Sequence, residues 1–195
     1  MKILVYHKSM TKIINTSIGW TTSALPVDLS PEWYCATRDV FQARLESLLS
    51  SLEKIKGGEA YLLTAICGEI GNNSFDHNLG NWRDVQGVFF AFDEEEKAVV
   101  LADRGQGIRQ TLSRVINDVK SDSEALTIAF TKAISGRFPE RRGNGLKFVA
   151  RTVKEKSWEL TFYSGDAVLS IKKNSALELE VSKMNVNGCC AILRY

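Results

Sequence analysis

The sequence has no large excess of charge of either sign and no long uncharged apolar run. Its 25 Lys and Arg against 23 Asp and Glu leave a net charge of +2 over 195 residues, which argues against a nucleic-acid scaffold or a polybasic membrane anchor. The longest uncharged stretch, 13–27, contains Asn, Thr, Ser, Gly and Pro, so no spanning helix is expected. The short, charge-interrupted N-terminal apolar stretch is unlike a signal peptide. We therefore expect a cytoplasmic protein without nucleic-acid or membrane partners.

Histidine and paired cysteines are also scarce. The chain has two His and four Cys and contains no Cys-x-x-Cys pair, so the ligand spacing of a zinc site is absent. Cys35 and Cys67 lie in apolar-periodic segments, and Cys189 and Cys190 are adjacent. We interpret all four as small core or pocket-lining residues.

The length and a hydrophobic content of 44% are typical of one globular domain with a sizeable core. We expect residues 1–30 to form an N-terminal extension, with a strand near 2–6 followed by irregular or short-strand structure. The main domain is expected over 31–195. It should begin with a long amphipathic helix that Ser30 caps and Gly57-Gly58 ends.

The rest of the pattern places helices before most of the strands. A hairpin surrounds the acidic turn at 93–97, and a capping-box spacing of Ser121 and Glu124 opens one helix. Further helices are predicted at about 59–77, 109–118, 122–135 and 145–156, and strands at 88–92, 98–102, 158–164, 166–173, 177–184 and 188–194. Because regular βαβ alternation is missing, the predicted fold class is α+β, a two-layer α/β sandwich with a mixed, mostly antiparallel sheet.

A polar stripe follows the predicted helix at 59–77. Glu69, Asn73 and His77 are four residues apart, so they share one helix face on successive turns, and Asp76 borders them. The stripe is either a solvated face or part of a site.

Two glycine clusters follow this helix along the chain. Asp103 ends a buried strand, and Gly105 and Gly107 after it permit a tight turn. A carboxylate there either accepts hydrogen bonds from an exocyclic amino group or closes an Asx turn. Gly143 and Gly145 precede a helix, so they form either a plain helix-entry loop or an amide cradle for phosphate, with Arg141 and Arg142 adding positive charge.

In this order the three motifs resemble the Bergerat-type ATP-binding fold of the GHKL superfamily, which includes gyrase B subunits, heat-shock chaperone N-domains, histidine kinases and anti-sigma-factor serine kinases. Glu69-x-x-x-Asn73 is similar to its N box, Asp103-x-Gly105-x-Gly107 to its first glycine box, and Gly143-x-Gly145-Leu146 to its second. The resemblance covers about 59–195.

The resemblance implies ATP and Mg²⁺ as cofactors. It implies that Glu69 is the general base and Asn73 the Mg²⁺ ligand. It further implies that Asp103 accepts a hydrogen bond from the adenine amino group and that the segment between Ile108 and Arg142 forms a mobile lid. Cys189 stands where many relatives have Thr near an adenine-bound water. The implied cofactor-binding set is Asn73, Asp76, His77, Asp103, Gly105, Gly107, Ile108, Arg142, Gly143, Gly145, Leu146 and Cys189.

The positions after Asn73 combine features of two branches. Asp76 is typical of the gyrase and chaperone branches, and His77 of the anti-sigma kinases. In layout the chain is similar to the anti-sigma-factor kinases, and this resemblance implies a stand-alone regulatory serine/threonine protein kinase with a protein partner or substrate. The alternative is an ATP-state-dependent binding module or slow ATPase switch. Leu48, Leu49 and Leu52 either pack under the sheet or form a homodimer face.

Overall fold

The computed structural model describes residues 12–132 and 145–195. These ranges contain six helices and five strands. In chain order they are α1 Lys12–Thr22, β1 Tyr34–Cys35, α2 Arg38–Lys56, α3 Glu59–Asn78, β2 Val88–Asp93, β3 Ala98–Asp103, α4 Gly107–Leu112, α5 Asp122–Thr131, α6 Gly145–Lys156, β4 Glu159–Ile171 and β5 Glu178–Arg194. The predicted positions of α3, the β2–β3 hairpin and α6 are confirmed.

The five strands form one sheet in the order β1-β2-β3-β5-β4, and every described pairing is antiparallel. Successive strand residues point to opposite faces. Thus Val88 and Phe90 join the main core under α2, α3, α5 and α6, whereas Phe89 and Ala91 join a second cluster on the other face. The predicted α+β class with a helical layer on a sheet is confirmed. Leu48 and Leu52 pack in the main core.

The face of the sheet away from the main helical layer is covered by α1. Ile14 and Trp20 are buried there, in one cluster with Val186 and Ile192 of β5. The expectation of irregular or short-strand structure was therefore wrong for 12–22, while the predicted strand at 2–6 lies outside the described residues. The helix was missed because Ser and Thr are common in its sequence and usually favour turns. Here their hydroxyls bond within the helix, as Thr21 does by donating to the Ser17 carbonyl.

The helix expected from Ser30 begins later. Thr37 is the N-cap of α2, and its hydroxyl accepts from the Val40 amide at 3.4 Å. Before it, Tyr34 pairs with Phe89 as the edge strand β1. Pairing with β2 satisfies backbone groups that the predicted first turn of helix would have left to solvent.

The late strands are two long ones rather than four short ones. The sequence suggested turns at Gly165 and at Gly188, but both glycines lie inside the β4–β5 ladder, where Ser164 pairs with Cys189 and Gly165 pairs with Val186, so the register shifts at this point. Both have positive φ, +59° and +77°. The two turn signals therefore mark a bulge, with Asn187 and Gly188 as the extra residues of β5, and it bends the ladder beside the end of β3.

Much of the expected lid is packed structure. The helix predicted at 109–118 is shortened to α4, and α5 begins at its predicted Ser121 cap. Phe130 of α5 packs edge-on against Phe162 of β4, with ring centroids 5.2 Å apart. Residues 107–132 thus contribute to the core, and the remainder of the expected lid, 133–142, lies outside the described residues.

Candidate functional site

The polar stripe of α3 divides into two parts. Asn73 and His77 line a cavity between α3 and the sheet. Glu69 is exposed and lies against Gly145, the first residue of α6. A Cβ at Gly145 would lie 2.3 Å from Glu69 Oε2 and 3.8 Å from Asn73 Nδ2. The absence of a side chain at Gly145 therefore lets the start of α6 approach the carboxylate and the amide.

Asp103, the last residue of β3, is 1% exposed. Its Oδ2 accepts from Ser74 Oγ at 2.7 Å, and its Oδ1 accepts from the Gly105 amide at 2.8 Å and from Asn78 Nδ2 at 3.2 Å. Burial raises the pKa of Asp103, although these donors oppose the shift. Ser74 Oγ also lies 3.5 Å from the Ile70 carbonyl, so its hydroxyl can turn away and leave Oδ2 to a ligand donor.

The first glycine cluster is held against the end of α3 by Asn78. Its Oδ1 accepts from the Gln106 amide at 3.0 Å, and a Cβ at Gly105 would lie 2.1 Å from its carboxamide. Gly107 has a φ of +77°, which other residues rarely adopt. Both glycines are thus required by a close approach or a backbone angle.

The β4–β5 bulge closes the other side of the turn. Ser164 Oγ accepts from the Ile108 amide at 3.0 Å and donates to the Gly188 carbonyl at 3.1 Å. Cys189 Sγ lies 3.7 Å from Ser164 Oγ. Burial and the nearby Asp103 raise the pKa of the Cys189 thiol, so the thiol is protonated at neutral pH and is a weak hydrogen-bond partner.

These elements enclose a cavity of about 30 Å³, enough for roughly two water molecules. Its walls are mostly apolar, and its polar groups gather around Asp103. The lining residues are Ile70, Asn73, Ser74, His77, Asn78, Leu101, Ala102, Asp103, Gly107, Ile108, Thr111, Leu146, Phe162, Cys189 and Ala191. The structure therefore brings together parts of all three sequence motifs.

Asp76 and His77 separate, although they are adjacent in sequence. Asp76 forms an ion pair with Arg38 at the start of α2 and does not line the cavity. His77 does line it, and burial, with a further contribution from the charge of Arg114, lowers the pKa of the imidazole. His77 is therefore neutral at pH 7, and Asp76 lies outside the lining of the cavity.

The remaining expected site residues lie in different places. Leu146 and Ile108 line the cavity, whereas Gly105 lies in the wall of a separate, more open cleft of about 610 Å³. Arg142 and Gly143 lie outside the described residues.

Eight lining residues were not in the expected set: Ile70, Ser74, Asn78, Leu101, Ala102, Thr111, Phe162 and Ala191. Ser74 directly follows Asn73, but a serine on a helix has no pattern that marks it as a partner of a distant carboxylate. Asn78 resembles an ordinary helix-end residue. Its full burial, with 4% exposure, is the feature that distinguishes it.

No family model matches the chain, and no curated protein matches it. Among solved structures it is similar to the ATPase region of Saccharomyces cerevisiae topoisomerase II, with 15% identity, a TM-score of 0.44, and coverage of 66% of this chain and 36% of that one. It is also similar to the 43K ATPase domain of Thermus thermophilus gyrase B in complex with an aminocoumarin, with 16% identity, a TM-score of 0.42, and coverage of 77% and 38%.

The chain thus spans less than two fifths of the length of these structures. Because identity and TM-score are both low, the geometry of the site is the basis for assigning a function. Within 12–132 and 145–195, no helix is long and apolar enough to cross a membrane. The same residues contain no group of three or more His, Cys, Asp or Glu placed to hold a metal ion.

Proposed function

We propose that this chain is an ATP-binding domain of the GHKL type. The observation that supports it most strongly is the convergence of three separate segments on one cavity. Asp103 at a strand end, Asn73 and His77 on α3, and Leu146 on α6 line the same space. If the three motifs were only a solvated helix face, an Asx turn and a helix-entry loop, they would have no reason to line one cavity.

The cavity end of the site suits a purine base. Asp103 supplies a buried acceptor for an amino group, with Ser74 as the donor that gives way, and Ile108 and Leu146 supply apolar contact. The present volume of about 30 Å³ is smaller than a purine, so Ile108 and Leu146 would have to move apart on binding. Binding would therefore be coupled to rearrangement of the segments that bear them.

The exposed part of the site, beside Glu69 and Gly145, suits phosphates and a magnesium ion. The amide oxygen of Asn73 is an oxygen donor of the type that Mg²⁺ prefers, and the coordination of this ion is commonly completed by water and substrate phosphates. When bound, Mg²⁺ would neutralise charge on the phosphates. Glu69, exposed beside Gly145, would orient and deprotonate an incoming water or hydroxyl.

The accessible position of Glu69 favours transfer to a hydroxyl of another protein. We therefore infer a regulatory serine/threonine protein kinase of the anti-sigma-factor type as the activity of this site. The small apolar cavity favours a second function, an ATP-state switch in which binding rearranges the surface for a partner with slow turnover or none. Both functions require the same nucleotide pocket.

Calorimetric titration with ATP and Mg²⁺ tests the pocket. The Asn73→Ala variant should lose Mg²⁺-dependent ATP binding. Asn72→Ala is the matched control, because Asn72 is the neighbouring residue and its Oδ1 accepts from Gln42 Nε2 at 2.9 Å, outside the cavity. Equal ATP affinity in the two variants would refute the pocket assignment.

Incubation with γ-labelled ATP and proteins from the chain's own cell separates the activities. Label on a Ser or Thr supports the kinase, free labelled phosphate supports an ATPase switch, and binding without release of label supports the binding module. Glu69→Gln should keep nucleotide affinity and lose transfer or hydrolysis. Full turnover in that variant would exclude Glu69 as the base.

A further inference from the structure

A fully buried arginine lies next to the base-recognition carboxylate. Arg104 directly follows Asp103, its residue is 0% exposed, and it is the largest of the fully buried side chains among the described residues. Burial of a guanidinium is costly unless its donors are paired. The partners of Arg104 therefore show which segments of the chain it holds together.

Arg104 bonds to two segments that are distant in sequence. Its Nε and Nη2 form a forked pair with the Asp84 carboxylate, at 2.9 Å to Oδ1 and 2.5 Å to Oδ2. Its Nη1 donates to the Trp20 carbonyl and, at 3.1 Å, to the carbonyl and hydroxyl oxygens of Ser23. The guanidinium thus joins the end of β3 to the loop before β2 and to the C-terminal end of α1.

The contact with α1 is favourable for a second reason. A helix C-terminus carries partial negative charge, and α1 has no basic residue of its own in its last turn. Arg104 supplies that positive charge from the sheet. Asn187 beside the bulge strengthens the junction, because its Nδ2 donates to the Ser23 carbonyl at 3.0 Å.

No residue of α1 lines either the cavity or the open cleft. The helix can therefore influence a bound nucleotide only through intervening residues, and Arg104 lies between Asp103 and Gly105, which both shape the base-recognition turn. One residue, Arg104, therefore has two roles. Its side chain holds α1, and its backbone follows directly on the base acceptor Asp103.

We propose that Arg104 is a positioning residue that couples docking of α1 to nucleotide affinity at the Asp103 turn. The inference rests on the proposed function, since it requires a nucleotide in the cavity. Undocking of α1 would release the Arg104 side chain from its carbonyl acceptors and loosen the turn. Because coupling between two equilibria is reciprocal, a bound nucleotide would in turn hold α1 on the sheet.

The first experiment uses the unaltered protein and measures hydrogen exchange with and without ATP and Mg²⁺. Nucleotide should slow exchange in the backbone amides of α1 by about 5-fold or more, the low end of typical coupling. Slower exchange at 103–108 with no change in α1 would overturn the coupling while leaving nucleotide binding intact. Absence of any ATP binding would instead refute the proposed function, and the coupling with it.

The second experiment is a double-mutant cycle on ATP affinity. Ile14→Asn loosens α1 by burying a polar group at a position that is 1% exposed and away from the cavity. Arg104→Met removes the guanidinium, and with it the bonds to the Trp20 and Ser23 carbonyls, at similar side-chain length. Ile14→Asn should weaken ATP binding about 5- to 10-fold in the Arg104 protein and leave it unchanged in the Arg104→Met background.

Leu52→Ala on α2 controls for general destabilisation, since Leu52 is buried in the other core cluster. It should not change ATP affinity in either background. Equal weakening by Ile14→Asn with and without Arg104 would show that α1 acts by another route and would overturn the proposal. If Arg104→Met does not fold, hydrogen exchange of α1 in the unaltered protein, with and without ATP and Mg²⁺, alone supports or overturns the coupling.

Discussion

Replacement of Asp103 by Asn changes one oxygen of the buried carboxylate to an amide nitrogen at constant shape. The Oδ1 atom can keep its two donors, the Gly105 amide and Asn78 Nδ2, and the new Nδ2 can donate to the Ser74 hydroxyl. Every polar group at the end of β3 thus retains a partner. The variant should therefore fold.

The two consequences of the substitution differ in size. Weaker, uncharged hydrogen bonds cost stability, but the variant no longer buries a charge, so the net change in unfolding free energy should stay within about 1.5 kcal/mol. For ATP, the adenine amino group would face a donor where it had a charged acceptor. A hydrogen bond to a charged group contributes about 1.5–3 kcal/mol, which corresponds to roughly 10- to 150-fold weaker binding.

The effect on stability should depend on pH. The pKa of Asp103 is raised in the folded protein, so its protonated form is the one that folding favours. This contribution is fully present below the ordinary pKa of about 3.9 and is lost as the pH rises through the higher folded value. Asn resembles the protonated form at every pH. Relative to the unaltered protein, Asp103→Asn should therefore gain stability as the pH rises from about 4.

Calorimetry gives the ATP affinity, and urea denaturation at several pH values gives the stability. Asp93→Asn is the matched control, because Asp93 also accepts backbone amides at a strand end but lies at the opposite end of the β2–β3 hairpin. Undiminished ATP affinity in a folded Asp103→Asn protein would refute the role of Asp103 as base acceptor. Failure of the variant to fold would refute the hydrogen-bond accounting.

Three other substitutions should have separable effects. Gly145→Ala places a Cβ 2.3 Å from Glu69 Oε2; the flexible carboxylate can move, so thermal stability should change little while phosphate release falls at least tenfold, which a coupled phosphate assay would detect. Cys189→Ser exchanges a weak thiol for a hydroxyl and should tighten ATP binding by about 0.5–1.5 kcal/mol in calorimetry. Asp76→Asn breaks a partly exposed pair with Arg38 and should cost at most about 1 kcal/mol in urea denaturation, with no change in ATP affinity.

The sequence predicted the elements that have local signals. The helix α3, the hairpin around the acidic turn and the Ser121 cap of α5 follow from periodicity, turn composition and capping. The bulge at Gly165 and Gly188 could not be predicted in the same way. Each glycine alone looks like a turn, and only the pairing of β4 with β5 places both at the same register shift.

The site was predictable where a motif is contiguous and not where a partner comes from elsewhere. Asn73, Asp103 and Leu146 were expected, and the cavity contains them. Asp76 lies outside the cavity lining because it pairs with Arg38, which is 38 residues away in sequence, at the start of a different helix. The helical spacing alone leaves both Asp76 and His77 near the stripe, and the interaction between α2 and α3 decides between them.

The resulting distribution of charge fixes the direction in which a nucleotide would bind. With Asp76 held by Arg38 and His77 neutral, Asp103 is the one carboxylate among the described lining residues. A phosphate placed beside it would be repelled, so the cavity suits the uncharged, amino-bearing base. The phosphates would then lie toward Gly145, next to the exposed carboxylate of Glu69. The phosphates carry several negative charges, which Mg²⁺ would neutralise, so the proposed pocket should bind ATP with Mg²⁺ better than ATP alone.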